Sequence, residues 1–178
     1  MVQESTIYVR EVTAADVKYN ETAAAVVNNA YRSKGGWTTE EHIVGGQRAT
    51  LEDMNDAVLS NGKPNVLLYA FDSSDTEKVI GTVQIQHHDT KEAEIGLFSV
   101  SPDYQSKGVG GRLMRSAFER MKELGYTTAT LHVLENRPEL LAWYAKLGFK
   151  ETGERVPFVW PEMLKIKDLH FLTLKKDL

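Results

Sequence analysis

Gln105-Ser106-Lys107-Gly108-Val109-Gly110-Gly111 stands between an alternating run that ends at Val100 and a helical pattern that begins at Val109. Glycines let the backbone turn freely and approach a ligand closely. The first N–H groups of the helix that follows lack intrahelical partners and carry the positive end of its macrodipole. Together these features suit a pyrophosphate. Lys107, Arg112 and Arg115 lie on or near the first turns, where they can meet further phosphates. Two familiar phosphate patterns fail. The Walker pattern needs a Gly-Lys-Ser/Thr ending that the chain lacks. The dinucleotide pattern, begun at Gly108 and Gly110, needs glycine at 113, where Leu113 stands. It also belongs after a strand of a parallel unit, and this segment follows what reads as an antiparallel meander. A third pattern, Gln/Arg-x-x-Gly-x-Gly/Ala between a strand and a helix, is matched by Gln105, Gly108 and Gly110 without a gap, and Gly111 extends it. Taken locally, it is also compatible with a loop whose glycines merely cap the helix.

Upstream, residues 66–71, 79–86 and 93–100 predict three strands joined by short polar turns. Ser101-Pro102-Asp103 then breaks the chain. Downstream, Val109, Leu113, Ala117, Met121 and Leu124 recur at helical spacing, and Gly125 stands where a C-terminal cap belongs. Residues 128–133 predict a strand. Pro138 suits the first turn of a helix running to Leu147 and ended by Gly148. Residues 169–174 alternate as a last strand. Toward the start, residues 7–12 alternate, Thr13 with Asp16 caps a helix over 14–30, and Thr50 with Asp53 starts a short helix through Leu59. Residues 31–48, broken by two glycine pairs, predict an irregular stretch, and such stretches inside a domain are often functional. The order β-α-(α)-β-β-β-α-β-α-(β)-β is an α+β layout with a mixed, mostly antiparallel sheet. No repeat or linker interrupts it, so residues 1–178 are expected to form a single domain.

The run from Glu94 through Val100, Gln105 and Gly110 to Met114 resembles the acetyl-CoA-binding core of the GNAT acetyltransferase superfamily. The run from Asn136 and Pro138 through Tyr144 to Gly148-Phe149 resembles that superfamily's next motif, a helix ending in Tyr-x-x-x-Gly-Phe. The resemblance covers residues 94–153. It implies helices on both faces of a sheet that splays open between its fourth and fifth strands, with acetyl-CoA in the cleft. The pantetheine arm would pair with the backbone at Phe98, Ser99 and Val100. The diphosphate would sit on Gln105, Ser106, Lys107, Gly108, Val109, Gly110, Gly111 and Arg112, with Asn136 and Tyr144 close by.

Amide formation from a thioester needs an amine stripped of its extra proton, a stabilised oxyanion and a protonated leaving thiolate. Tyr144, at the position where the superfamily often carries an acid, is the candidate acid; its alternative role is packing beside Leu140 and Leu147. Glu94 is the candidate base, directly or through water, and is expected to share a strand face with Gly96, Phe98 and Val100. Its alternative is a solvated charge beside Glu92. His87-His88-Asp89 invites a metal or base, but neighbouring strand residues point to opposite faces, so a turn is expected and no metal. His132 and His170 fall within strands and are expected to pack or face solvent. His42, Tyr31, Trp37 and Arg48 lie in the irregular stretch, which in the superfamily covers the acceptor. Trp160 is expected in a second loop, at the acceptor mouth or in a homodimer contact.

The net charge of −4 argues against a nucleic-acid protein, though it tolerates a cationic amine. With no cysteine, disulfides, thiolate zinc sites and a cysteine nucleophile are all excluded. The first residues show no apolar secretory core, and no apolar run approaches the ~18 residues of a membrane span. A cytoplasmic address follows as an expectation, with nuclear entry open to so small a chain. The reading is an N-acetyltransferase acting on a small-metabolite amine. A protein or peptide acetyltransferase and a non-catalytic CoA-binding sensor are the alternatives.

Overall fold

The computed structural model describes residues 6–32, 49–75, 78–105, 107–135, 137–157 and 170–178, with backbone alone at 31 and 32. Among the described residues, seven strands form one sheet in the order β1-β2-β3-β4-β5-β7-β6. They are β1 (Ile7–Glu11), β2 (Val66–Asp72), β3 (Gly81–His87), β4 (Glu92–Val100), β5 (Thr128–Leu134), β6 (Lys150–Pro157) and β7 (His170–Asp177). Every neighbouring pair is antiparallel except β4 and β5. The helices are α1 (Asn20–Arg32), α2 (Leu51–Leu59), α3 (Val109–Glu123) and α4 (Pro138–Lys146).

Strand β2 shows how the layers form. All seven of its residues are buried. Successive side chains point to opposite faces. Val66, Leu68 and Ala70 join a core with Leu113, Met114, Ala117 and Met121 of α3 and Leu140 and Tyr144 of α4. Leu67, Tyr69 and Phe71 join a second core with Ala23, Ala24 and Val27 of α1 and Met54 and Val58 of α2. An unbroken apolar run is what a strand covered on both faces requires. Helices therefore cover both faces, as the resemblance implied.

Two local readings need correction. Thr13 and Asp16 do cap a helical segment, with the Asp16 carboxylate accepting from the Thr13 N–H at 2.7 Å. That segment (Ala14–Tyr19) is a 3-10 turn, and the α-helix begins only at Asn20. Asp16 is also gripped by Arg10 of β1 at 2.7 and 2.8 Å, which ties the turn to the sheet. Asn20 is likewise held from the sheet, by the Tyr69 hydroxyl at 2.6 Å. The second correction concerns β4. Its register against β3 slips, Thr82 pairing with Ser99 but Gln84 with Gly96, so β4 carries one extra residue. Leu97 takes a left-handed φ of 47°, which fits a bulge at that point. The face parity of the strand changes there. Ala93 and Ile95 before the bulge, and Phe98 and Val100 after it, all face the α3 core, while Leu97 packs toward α1 and α2. Glu94 therefore shares a face with Gly96 but not with Phe98 or Val100.

Candidate active site

Strands β4 and β5 pair over three residues only: Glu92 with Thr128, Ala93 with Ala129 and Glu94 with Thr130. Beyond Glu94 they part. The β5 ladder does not extend to Ser99 and Val100, which stay zipped to Thr82 and Gly81 of β3 on the other side. A free strand edge is a template for an extended, amide-bearing ligand. The bulge that opens it is pinned. Buried Thr82 donates to the Leu97 carbonyl at 2.5 Å and shares a 2.6 Å hydrogen bond with Ser99.

The open edge leads to the N-terminus of α3. Gly108 caps that helix with φ 80°, a conformation that favours glycine, and a glycine cap brings no side chain to the orphan N–H groups. Helix α2 makes the contrast: its N-terminus is filled by Thr50, which accepts from the Asp53 N–H at 3.0 Å, and by Asp53, which accepts in return. Helix α3 has no carboxylate in its first turn, so its positive end remains available to an anion. A Cβ on Gly110 would lie 3.2 Å from the Phe98 ring and 3.6 Å from Trp143, so glycine there lets helix and aromatic rings approach. Val109 turns its side chain into the core and leaves its backbone at the cradle. Gln105 is half-buried, while Lys107 and Arg112 are exposed. Lys107 lies 5.1 Å over the Tyr104 ring, whose hydroxyl donates to Asp72 at 2.8 Å. That bond pushes the phenol up to about 12, so Tyr104 stays protonated and moors the cradle to the end of β2.

Across the cleft, α4 brings Tyr144 against Phe98, Trp143 and Phe149, with ring centroids 6.4, 5.2 and 5.9 Å away. Phe98 stacks on Trp143 at 5.5 Å, joining β4 to α4. Tyr144 and Phe98 of β4 thus meet in the same aromatic cluster.

On the opposite face of the sheet, Glu94 finds a partner that strand parity hid. Its Oε1 lies 2.6 Å from Nδ1 of His132 on β5. The hydrogen bond holds the imidazole pKa above the usual histidine value, against the opposing effect of burial. The expectation that His132 packs or faces solvent missed this contact. Its signal was the alternation of Thr128, Thr130 and His132 with the core residues Ala129, Leu131 and Val133, which sets His132 on the face of Glu94. Thr173 of β7 lies directly across from His132. The Thr130 and Thr173 hydroxyls are buried and have no hydrogen-bond partner among the described residues.

The acetyltransferase (GNAT) family profile matches residues 35–149. The chain belongs to the GNAT family. Members of this family use acetyl-CoA as donor. Human N-acetyltransferase 8B is 28% identical over 101 residues, 54% of this chain and 44% of that protein. A mycothiol acetyltransferase of Gordonia bronchialis is 27% identical over 140 residues, 76% of this chain and 42% of that protein. The chain thus spans less than half the length of these curated relatives. The crystal structure of the PaiA N-acetyltransferase from Thermoplasma acidophilum in complex with coenzyme A has a TM-score of 0.66 at 19% identity, over 97% of this chain and 99% of that one. At that identity the likeness speaks for the fold.

Within this GNAT frame the fold brings together Glu94, Phe98, Ser99, Val100, Gln105, Lys107, Gly108, Val109, Gly110, Gly111, Arg112 and Tyr144 around one split in the sheet. Ser106, Asn136, Trp37, Arg48, His42, Trp160 and the Tyr31 side chain lie outside the described residues. His87 and His88 go separate ways, to the Tyr126 hydroxyl at 2.7 Å and toward Glu92 at 3.7 Å. Asp89 closes the hairpin by accepting from the Lys91 and Glu92 N–H groups. No described helix is long and apolar enough to cross a membrane.

Proposed function

We propose that this GNAT-family chain, with residues 1–178 working as one catalytic domain, transfers an acetyl group from acetyl-CoA to a primary amine of a small metabolite. The carrying observation is the parting of β4 from β5 beyond Glu94, which keeps Ser99 and Val100 off the β5 ladder and leads into a helix N-terminus with no carboxylate in its first turn. Bound acetyl-CoA supplies an activated thioester. The α3 N–H groups hold its diphosphate, Lys107 and Arg112 offer charge to its phosphates, and the β4 backbone pairs with its amide arm. Glu94 provides for removal of the ammonium proton from the other face of the sheet. The Tyr144 hydroxyl protonates the departing sulfur. The mycothiol acetyltransferase relative favours a small-metabolite acceptor.

The test is thiol release from acetyl-CoA across a panel of primary amines, read with a thiol reagent. The chain has no cysteine to give a background signal. Release that depends on the amine, with the acetylated amine found by mass spectrometry, is the expected result. Tight acetyl-CoA binding with no release on any amine would instead make the chain a sensor of the cofactor.

A further inference from the structure

We infer that His132 is the group that receives the acceptor's proton, and that Glu94 is a positioning residue acting through it. This rests on the acetyltransferase reading above and specifies where that reaction's proton goes.

The geometry is local to the mouth of the split. Pairing of β4 with β5 ends at Glu94 and Thr130, and His132 lies two residues further along β5, on the same face as Thr130. The 2.6 Å contact between Glu94 Oε1 and His132 Nδ1 therefore spans the two strands where they begin to diverge. An ionised carboxylate only accepts hydrogen bonds. Glu94 accordingly selects the tautomer with its proton on Nδ1, which leaves a lone pair on Nε2. The imidazole side chain keeps 27% of its surface exposed, so it is not sealed in the core. An imidazole also suits the task better than a carboxylate, since a base works best with a pKa near the working pH.

The neighbouring groups reinforce this assignment. Glu94 and Glu92 from β4 and Glu154 from β6 all favour the imidazolium. Lys175 of β7 is engaged with Glu92 at 2.7 Å. Among the described residues the other neighbours are neutral: Thr130 on β5, and on β7 Thr173 and Phe171, whose ring meets the imidazole edge-on at 6.4 Å. The imidazolium formed by proton transfer is thus stabilised where it forms.

In the step so described, the acceptor ammonium gives one proton to Nε2 and becomes a free amine. The amine nitrogen bonds to the thioester carbon. As the C–S bond breaks, Tyr144 passes its hydroxyl proton to the sulfur. The new amide nitrogen loses its second proton to solvent, which restores the tyrosine, and the imidazolium later releases its proton to solvent. The sum is ammonium plus thioester giving amide, thiol and one proton.

The experiment follows kcat/KM against pH, and the His132 ring proton by NMR, in wild type, Glu94→Gln, His132→Gln and His132→Asn. Acetyl-CoA binding by each variant checks that the cleft is intact. Activity requires neutral His132, so it rises with pH through an acidic limb that matches the NMR titration and lies above ~6.5, the ordinary histidine value. Glu94→Gln keeps partial activity, and both limb and NMR titration move down together. Both His132 variants bind acetyl-CoA, lose roughly 100-fold or more in kcat and lose the limb. Wild-type kcat with an unchanged limb in either His132 variant overturns the inference while leaving the acetyltransferase reading intact. A wild type inactive on every amine overturns both.

Discussion

At the scale of single residues, Tyr144 has two candidate roles, packing and proton donation. It is 8% exposed and ringed by Phe98, Trp143 and Phe149, as a packing residue would be. The same ring sits beside the strand edge proposed to hold the thioester arm. Tyr144→Phe keeps the ring and its edge contacts while removing the hydroxyl proton proposed for the leaving sulfur. The expected outcome is a fall in kcat of about 100-fold, within the range of general-acid effects, with acetyl-CoA affinity by calorimetry changed no more than a few-fold. Unchanged turnover would assign Tyr144 to packing alone. The sequence marks Tyr144 as a candidate because a local phrase, four residues before Gly148, points to it. It does not mark His132, because the contact that singles out that histidine is with a carboxylate 38 residues away, on a strand that β5 meets for three pairs only.

At the scale of elements, legibility followed the origin of each signal. The α3 helix and its glycine cap, the all-buried β2 and the β3–β4 hairpin are written in local spacing, and they were readable. Strand β6 (Lys-Glu-Thr-Gly-Glu-Arg-Val-Pro) is the sheet's outer edge, with seven of its eight residues exposed, so no apolar alternation marks it. The β4 bulge was hidden for a different reason. One extra residue is visible only against the partner strand, and it inverted the predicted parity of Phe98 and Val100 relative to Glu94. The pin that holds this bulge is testable. Thr82→Val preserves shape but removes the donor to the Leu97 carbonyl and the partner of Ser99, leaving buried polar groups unmet at a cost of about 1–3 kcal/mol. Because the bulge sets the free edge, the KM for acetyl-CoA is expected to rise several-fold along with the loss of stability in urea. Lower stability with an unaltered KM would show that the bulge is fixed by the sheet register without Thr82.

At the scale of the whole molecule, the charged contacts give the fold acid dependences of opposite sign. The carboxylates of Asp16, Asp72, Asp89 and Glu135 are held below their usual values, at the first turn, the end of β2, the β3–β4 hairpin and the end of β5. Each favours the folded state above the unfolded carboxylate range near ~4 and loses that contribution as pH falls through its lower folded value. His132 runs the other way. Its raised folded pKa contributes stability below ~6.5 that is lost as pH rises through the folded value. Asp16 is the acid to test, because it is 3% exposed and links β1 to the segment that launches α1. The Arg10 fork lowers its pKa most, and the Thr13 N–H adds to the effect against an opposing cost of burial. Asp16→Asn keeps the size and removes the charge. At pH 7 the variant is expected to be less stable by about 1.5–3 kcal/mol, toward the low end because Arg10 is half-exposed. Urea midpoints measured from pH 7 to pH 2.5 should converge as wild-type Asp16 takes up its proton. A gap that persists undiminished at pH 2.5 would mean that the side chain acts through its shape and hydrogen bonds, with the ion pair contributing nothing to the fold.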